Sequence, residues 1–278
     1  MSHRLLIINA DDFGLSPGVT DGILECHRDG ILTSTTLMTT MPDCDRAIEL
    51  AQGAPDLGVG VHLVLTQGMP RSAGLRRLAE PGHAFRRSAN GMLLKLALSA
   101  RARLELEHEW SAQVEYALKK GVRITHLDSH KHLHHFPACH HAVIRVAQRF
   151  GIKHVRCARE LALPEGPRLT LGYRALRRFA GRLAQRLEAA GLQTTDYFYG
   201  LGCTGRFDVD AWLAAVPEFP DGIGEVMVHP GDPKGLDEGQ SRLVMQRQVE
   251  GDALRDRTVA YTVQAHHLKL THYGKLPQ

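Results

Sequence analysis

Residues 5–12 read Leu-Leu-Ile-Ile-Asn-Ala-Asp-Asp, an apolar run that ends in two acidic residues. A short, continuous apolar run is typical of a strand that is buried on both faces of a parallel sheet. Ser16 and Pro17 then suit the start of a helix, and Gly30 suits its end. The stretch therefore predicts a strand, a polar turn and a helix, which together form the repeating unit of an α/β fold.

The same alternation continues along the chain. Further strands are predicted at 31–38, 58–65, 122–127, 153–157, 224–228 and 268–272. Helices are predicted at 43–52, 93–120, 137–150, 169–190, 209–216, 240–254 and 258–266. Repeated βα units predict a parallel sheet with helices outside it. Since no linker or repeat divides the 278 residues, we expect one (β/α)-barrel domain over 1–278, with 68–103, after the His62 strand, and 160–206 as insertions or excursions.

The composition bounds the class of protein. Hydrophobic residues make up 43% and charged residues 23% of the chain, which excludes a disordered or fibrous protein. The five cysteines contain no Cys-x-x-Cys pair, so reduced thiols in the cytoplasm are expected. Few apolar residues precede Asn9 and no apolar run approaches about 20 residues, so we expect neither a signal peptide nor a membrane span.

Acidic residues and histidines follow four of the predicted strands. Asp11 and Asp12 end the first, His62 ends another, residues 126–130 leave the middle strand, and His229 follows a late one. Taken alone, an acidic pair is typical of a turn, and a single histidine on an apolar strand is typical of a core. Because the carboxyl ends of parallel strands meet at one face, their combination predicts an active site there.

The histidine-rich run of residues 125–135 reads Thr-His-Leu-Asp-Ser-His-Lys-His-Leu-His-His. While the chain stays extended, positions 126, 128, 130, 132 and 134 share one face, and all are His or Asp. Together with Asp12 and His62, they supply the ligand types of a site for one divalent metal ion. A second carboxylate from the Asp11–Asp12 pair can act as a general base.

Five motifs then resemble the YdjC-like carbohydrate deacetylases, in order, over residues 4 to about 273. They are Asn-Ala-Asp-Asp-Phe-Gly at 9–14, Thr-Ser-Thr-Thr at 33–36, Gly-Val-His-Leu at 60–63, Thr-His-Leu-Asp-Ser-His at 125–130 and Val-His-Pro-Gly at 228–231. The resemblance implies a (β/α) barrel of the glycoside hydrolase/deacetylase type, in a regular or an irregular, incomplete form. It also implies removal of N-acetyl groups from amino sugars such as acetylated chitooligosaccharides.

The same resemblance implies a role for each site residue. Asp12, His62 and His130 match the ligands of one divalent ion, Mg²⁺ or Zn²⁺. Asp11 matches the base that activates water, and His229 would act as a general acid or stabilise the tetrahedral intermediate. The remaining polar residues would support the ligands or contact the sugar: His126, Asp128, His132 and His134. Of these, Asp128 suits the orientation of a ligand imidazole.

The ending at residues 270–276 and an arginine-rich middle resemble the branch associated with hopanoid biosynthesis, which implies an N-acetylglucosaminyl hopanoid as the substrate. Residues 71–103 carry eight Lys or Arg and one acid, and 168–186 carry six Arg and no acid. In 169–187 the arginines flank an apolar stripe, and such a helix can lie on an anionic membrane. An ordinary barrel helix with a solvated basic face explains the pattern equally simply.

These observations predict a cytoplasmic enzyme with peripheral contact to the inner face of the membrane, and they leave a homodimer open. A phosphoesterase would need a second metal, which Asp128 and His132 could hold. An Fe(II) oxygenase could use Asp12, His62 and His130, but it has no evident need for Asp11. A non-catalytic lipid carrier would leave the complete ligand set unused. Nucleic-acid binding is not expected, because the basic stretches lack interleaved aromatic residues.

Overall fold

A parallel β-sheet covered by helices forms the protein in a computed structural model that describes residues 4–79, 82–85, 88–163, 170–236 and 241–276. Its strands are β1 (Arg4–Phe13), β2 (Ser34–Leu37), β3 (Gly58–Leu63), β4 (Ile124–Ser129), β5 (Tyr197–Tyr199), β6 (Gly222–Val228) and β7 (Lys269–Thr271). Its α-helices are α1 (Pro17–Asp29), α2 (Cys44–Gln52), α3 (Ala89–Leu98), α4 (Ala100–Lys119), α5 (Pro137–Arg149), α6 (Leu171–Ala189), α7 (Val209–Ala215), α8 (Gln246–Arg255) and α9 (Arg257–Ala265).

The strands lie in the order β4-β3-β2-β1-β6-β5, and every pair is parallel. β7 shares one edge of β1 with β2: residues 5–7 pair with β7, and pairing with β2 begins at Asn9. Isolated bridges made by residues 154–160 link β4 to β5, because Val155 pairs with Leu127 of β4 and Glu160 pairs with Phe198 of β5. The result is an open half-barrel of parallel strands, so the predicted irregular α/β barrel is confirmed.

The two faces of β1 bury different kinds of side chain. Leu6, Ile8 and Ala10 belong to the main apolar cluster. The alternate residues Asn9 and Asp11 hydrogen-bond to each other, so the other face is polar at the carboxyl end of β1 although it is equally buried. Buried polar groups need partners, because an unpaired one costs several kcal/mol. The polar side chains at this end of the sheet therefore have to form a connected network.

Three predicted elements differ in detail. The helix predicted at 240–254 begins only at Gln246. Residues 153–157 do not form a strand. Val155 makes a single bridge with Leu127, and His154 makes one with Gln193, so neither side has the consecutive pairs that a strand needs. The helix predicted at 93–120 is two helices, because Ser99 adopts extended backbone and its hydroxyl caps Ala102 N–H at the start of α4.

The basic segment after β3 is attached to α4. Glu109 accepts hydrogen bonds from the backbone N–H groups of Arg71 and Ser72, and Glu105 accepts hydrogen bonds from those of residues 76–78. Carboxylates that accept several backbone N–H groups hold a segment in place without a regular element. Glu80, Arg86 and Arg87 of this basic stretch lie outside the described residues.

Helix α6 buries the apolar stripe that the sequence indicates. Leu176, Ala180, Leu183 and Leu187 face the protein, whereas the arginines are exposed. The stripe is therefore used for packing and is not free to enter a bilayer. Arg168 and Leu169, at the start of the predicted helix, lie outside the described residues. Within the described ranges, no helix combines the length and the apolar character that a membrane crossing requires.

Candidate metal centre and active site

The two acidic residues at the end of β1 reach the same side of the sheet because the strand is irregular there. The β1–β2 register shifts between Ala10 and Phe13, and Asp12 has a left-handed backbone with φ 72°. On a regular strand, successive side chains would point to opposite faces. Left-handed backbone at a non-glycine residue costs about 1–3 kcal/mol and is concentrated at functional sites.

Three ligand atoms converge beside Asp12. Its Oδ1 lies 3.3 Å from His130 Nδ1 and 3.6 Å from His62 Nε2, and all three atoms lie within 4.8 Å of one another. Ligands about 2.1 Å from a tetrahedral zinc ion are about 3.4 Å apart, which these separations match. Among the described residues, Asp12 Oδ1 is buried without a hydrogen-bond partner. One carboxylate and two imidazoles fit a divalent cation.

The surroundings orient these ligands and favour positive charge. His62 Nδ1 lies 2.7 Å from Asp128 Oδ1, which leaves Nε2 to face Asp12. Burial alone would lower the pKa of His62, but Asp128 and Asp11 raise it to about 9. Burial would likewise raise the pKa of Asp12, yet Arg247 and His130 hold it well below its usual range. The carboxylates around His62 therefore favour positive charge there, and Asp12 stays ionised.

Arg156 joins the carboxylates of the inner face and was not predicted from the sequence. Its side chain is 0% exposed, and it donates to Asp11 Oδ1 and Oδ2 at 2.8 and 2.9 Å, and to Glu225 Oε1 at 2.8 Å. A further ion pair joins it to Asp128 Oδ2 at 2.6 Å. A lone arginine in the apolar stretch Val-Arg-Cys-Ala at 155–158 is the signal that could have revealed it.

Arg156 also determines what Asp11 and Asp128 can do. Burial opposes ionisation of Asp11, but Arg156 and His62 hold its pKa far below the ordinary value. The ligand atoms of Asp11, His62 and Asp128 lie close enough to hold an ion, yet the guanidinium already bridges the two carboxylates. In the described part of the chain, Asp128 forms no such group with His132, as a second metal would require.

His229 lies at the end of β6, near both acidic residues of β1. Its backbone N–H donates to Glu250 Oε2 at 2.5 Å, so helix α8 holds the segment. Its Nδ1 is buried and has no hydrogen-bond partner in the described ranges. Burial lowers the pKa of His229 to about 4 although Asp11 and Asp12 oppose the shift, so the imidazole is neutral near pH 7.

The histidine run does not stay extended, so its alternation ends with β4. Residues 130–135 form a 3₁₀ turn in which Lys131 and His132 have φ values of 56° and 55°. This turn leaves His130 beside Asp12. His132 lies close enough to Asp11 and His229 for their charges to act on its pKa, which burial lowers to about 3.

Two of the residues that were expected to support the ligands or contact the sugar make their contacts away from the three ligand atoms. His134 Nδ1 lies 2.6 Å from Ser129 Oγ, and its Nε2 lies 3.0 Å from the carbonyl oxygen of Arg156, so it holds the turn. His126 stacks on Tyr273 with ring centroids 4.1 Å apart. A Cβ on Gly60 would lie 2.4 Å from the His126 ring, so a glycine is needed there.

Arg247 of α8 is the other functional candidate that the sequence reasoning missed. Its Nη2 donates to Asp12 Oδ2 at 2.5 Å, and its side chain is buried. It sits in a polar helix, Gln-Arg-Gln-Val-Glu-Gly-Asp, where nothing distinguishes it from an exposed arginine.

Comparisons with known proteins agree with the motifs. The sequence profile of the family described as YdjC-like protein matches residues 5–265. A carbohydrate deacetylase of Vibrio cholerae serotype O1 is 32% identical over 98% of this chain and 96% of its own length. A carbohydrate deacetylase of Halalkalibacterium halodurans is 43% identical, over 53% of this chain and 61% of its own length, so the match spans less than two thirds of that relative.

The fold has a counterpart among solved structures. A protein of Enterococcus faecalis V583, provisionally named a cellobiose-phosphate cleavage protein, superposes with a TM-score of 0.77. The two sequences are 25% identical, and the superposition covers 100% of both chains.

Proposed function

This chain belongs to the YdjC-like protein family, and we propose that it is a metal-dependent hydrolase that removes the N-acetyl group from an acetylated amino sugar. Family membership and relatives named carbohydrate deacetylases support the reaction class. The observation that carries the proposal is the unpartnered Asp12 Oδ1, which faces two imidazole nitrogens beside the buried carboxylate of Asp11. Hydrolysis of an amide needs a cation and a proton acceptor at the same place.

Asp12, His62 and His130 would hold one divalent ion, Mg²⁺ or Zn²⁺. When bound, the ion would act as a Lewis acid towards the acetyl group and would make water more acidic. Asp128 keeps His62 Nε2 pointed at Asp12 by binding Nδ1. Arg156 fixes Asp11 through both carboxylate oxygens, so this base is held ready and does not have to be ordered during the reaction.

Asp11 takes a proton from the attacking water, whose oxygen forms a bond to the acetyl carbon. The low pKa keeps Asp11 ionised and so able to accept this proton, and the amine nitrogen receives the proton as the carbon–nitrogen bond breaks. The products are acetate and a free amino sugar. Neutral His229 suits hydrogen bonding to the oxygen of the tetrahedral intermediate better than delivery of a stored proton.

The test is acetate release from N,N′-diacetylchitobiose before and after the protein is treated with a chelator. We expect activity to disappear with the metal and to return when Mg²⁺ or Zn²⁺ is added. His62→Ala and His130→Ala should bind no ion, whereas the exposed His141→Ala should bind as the natural chain does. Full activity in the chelated protein, or full metal content in both ligand variants, would contradict the proposal.

As a finer proposal, the sugar is carried on a hopanoid. Helix α3 supports a lipid-bound substrate, because Leu94 is 62% and Leu98 79% exposed on a helix that also packs against the turn carrying His130. Exposed apolar side chains that lie on one face of a helix can contact a lipid or a partner. Exposed Arg101 and Arg103 follow directly, and they would attract anionic headgroups.

Binding to vesicles of anionic phospholipid tests this finer proposal separately from the chemistry. We expect the natural chain to bind at low salt, and Leu94→Ser with Leu98→Ser to bind more weakly while still hydrolysing diacetylchitobiose. The buried Leu96 is left unchanged, since its replacement would disturb the core. No vesicle binding at low salt, together with efficient turnover of the short sugar, would favour a deacetylase of soluble chitooligosaccharides.

A further inference from the structure

The two oxygens of Asp12 have different partners. Oδ2 accepts a hydrogen bond from Arg247 Nη2 at 2.5 Å, whereas Oδ1 alone faces the imidazoles of His62 and His130. A carboxylate that is free to rotate can bind a metal through either oxygen or through both. Here a strong, charge-assisted hydrogen bond keeps one oxygen occupied.

Arg247 is itself rigidly held. It is 1% exposed, its Nε donates to the carbonyl oxygen of Leu243 at 3.0 Å, and its Nη2 also reaches Ser241 Oγ at 3.2 Å. Its carbonyl oxygen accepts from Gly231 N–H, two residues beyond His229. A guanidinium fixed by these contacts imposes an orientation on Asp12 and does not merely follow it.

We propose that Arg247 is a positioning residue that makes Asp12 a one-oxygen ligand and presents Oδ1 to the ion. The inference rests on the proposed function, because it requires Asp12 to bind a divalent cation. The hydrogen bond from Arg247 also tethers the side chain of Asp12 to helix α8, which explains how the left-handed backbone of Asp12 is retained. Helix α8 then fixes both sides of the site, Asp12 through Arg247 and His229 through Glu250.

Two roles for Arg247 predict opposite effects. If the residue acted only as a nearby positive charge, its removal would relieve repulsion and strengthen cation binding. If it orients Asp12, its removal weakens binding, and the loss of a partner that orients a ligand typically weakens metal affinity by roughly 10–100-fold. The sign of the change therefore separates positioning from simple electrostatics.

The experiment measures Zn²⁺ affinity by competition with a chromophoric chelator, and the visible spectrum of the Co²⁺-loaded protein, for four variants. Arg247→Met should bind Zn²⁺ roughly 10–100-fold more weakly and should change the Co²⁺ spectrum. Arg247→Lys, which keeps the charge but not the fork of donors, should show a smaller loss in the same direction. Arg255→Met, on the same helix but paired with Glu25 and Asp252 at the surface, should match the natural chain.

Asp12→Asn separates this inference from the proposed function. If the natural chain binds Zn²⁺ and Asp12→Asn weakens binding, while both Arg247 variants bind equally well or more tightly with an unchanged spectrum, the positioning role is wrong. If Asp12→Asn binds as the natural chain does, the proposed metal site is wrong and the inference is overturned with it. Should Arg247→Met not fold, Arg247→Lys decides by the same criteria.

Discussion

Two sets of arginines in this chain have opposite surroundings. Helix α6 carries Arg174, Arg177, Arg178, Arg182 and Arg186, and all five are exposed. Arg156 and Arg247 lie outside the arginine-rich stretches of the sequence, yet both are buried and each contacts a carboxylate of the Asp11–Asp12 pair. The clustered charges stand out in the sequence, whereas the two single charges build the site.

The contrast follows from the solvation of charge. An exposed guanidinium keeps its water and contributes little to stability when it pairs at a surface. A buried guanidinium loses that water, so several precise partners have to compensate, as Asp11, Asp128 and Glu225 do for Arg156. Removing a buried arginine should therefore change stability and activity strongly, whereas removing an exposed arginine should change them little.

The largest effect is expected for Arg156→Met. It would leave Asp11, Asp128 and Glu225 buried without their shared cation, so the free energy of unfolding should fall by about 3–5 kcal/mol. The matched control is Arg178→Met on α6, which should change stability by less than about 0.5 kcal/mol. Urea denaturation measures both, and equal effects of the two substitutions would remove the distinction between the sets.

An intermediate effect is expected at Glu160, a buried carboxylate that feels the charge of Arg177 on α6. Burial raises its pKa from 4.5 to about 7, although the N–H groups of residues 200–202 and Arg177 act in the opposite direction. The folded chain therefore holds this proton more tightly than the unfolded chain does. The resulting stabilisation is complete below the unfolded pKa and is lost as the pH rises through 7.

The difference in unfolding free energy between the natural chain and Glu160→Gln isolates this group, because glutamine does not titrate. Between pH 4.5 and pH 8, the natural chain should lose up to roughly 3 kcal/mol of unfolding free energy relative to Glu160→Gln, at about 1.4 kcal/mol per pKa unit. Denaturant titrations across this range provide the measurement. A difference that stays constant with pH would mean that the pKa of Glu160 is not raised.

The smallest effect on the site is expected from reversing charges on α6. Arg177→Glu, Arg178→Glu and Arg182→Glu together should leave hydrolysis of a short acetylated sugar largely intact, because these side chains point to solvent. Binding to anionic vesicles should weaken, since each basic residue near such a surface contributes about 1 kcal/mol at low salt. A large loss of hydrolysis would show that α6 acts on the site directly.

The sequence predicted the elements whose signals are local. Apolar runs that end in polar residues located β1, β3, β4 and β6, and the parallel arrangement followed from the repeated βα units. Asp12, His62 and His130 were selected from three different strand ends, and the structure brings them together. The same reasoning placed His132 and His134 on the face of His130 because it assumed extended backbone, but the backbone stays extended only to Ser129.

What could not be predicted depends on contacts across the fold. Arg247 lies 235 positions from its partner Asp12, and Arg156 lies 145 positions from Asp11. No periodicity marks such pairs, because their partners are chosen by the closure of the sheet and by the packing of α8. The left-handed turn at Lys131 and His132 is likewise set by its tertiary surroundings, since left-handed backbone is uncommon at residues other than glycine.

The division of tasks between the adjacent carboxylates, with Asp12 binding the cation and Asp11 accepting the proton, is the core of the proposed function. It is tested most directly by measuring metal content and acetate release on the same preparation of Asp11→Asn, with Asp12→Asn beside it. We predict that Asp11→Asn keeps one ion per chain and loses activity by roughly 10²–10⁴-fold, whereas Asp12→Asn loses the ion. An Asp11→Asn protein that lacks metal, or that releases acetate at the natural rate, would contradict the account.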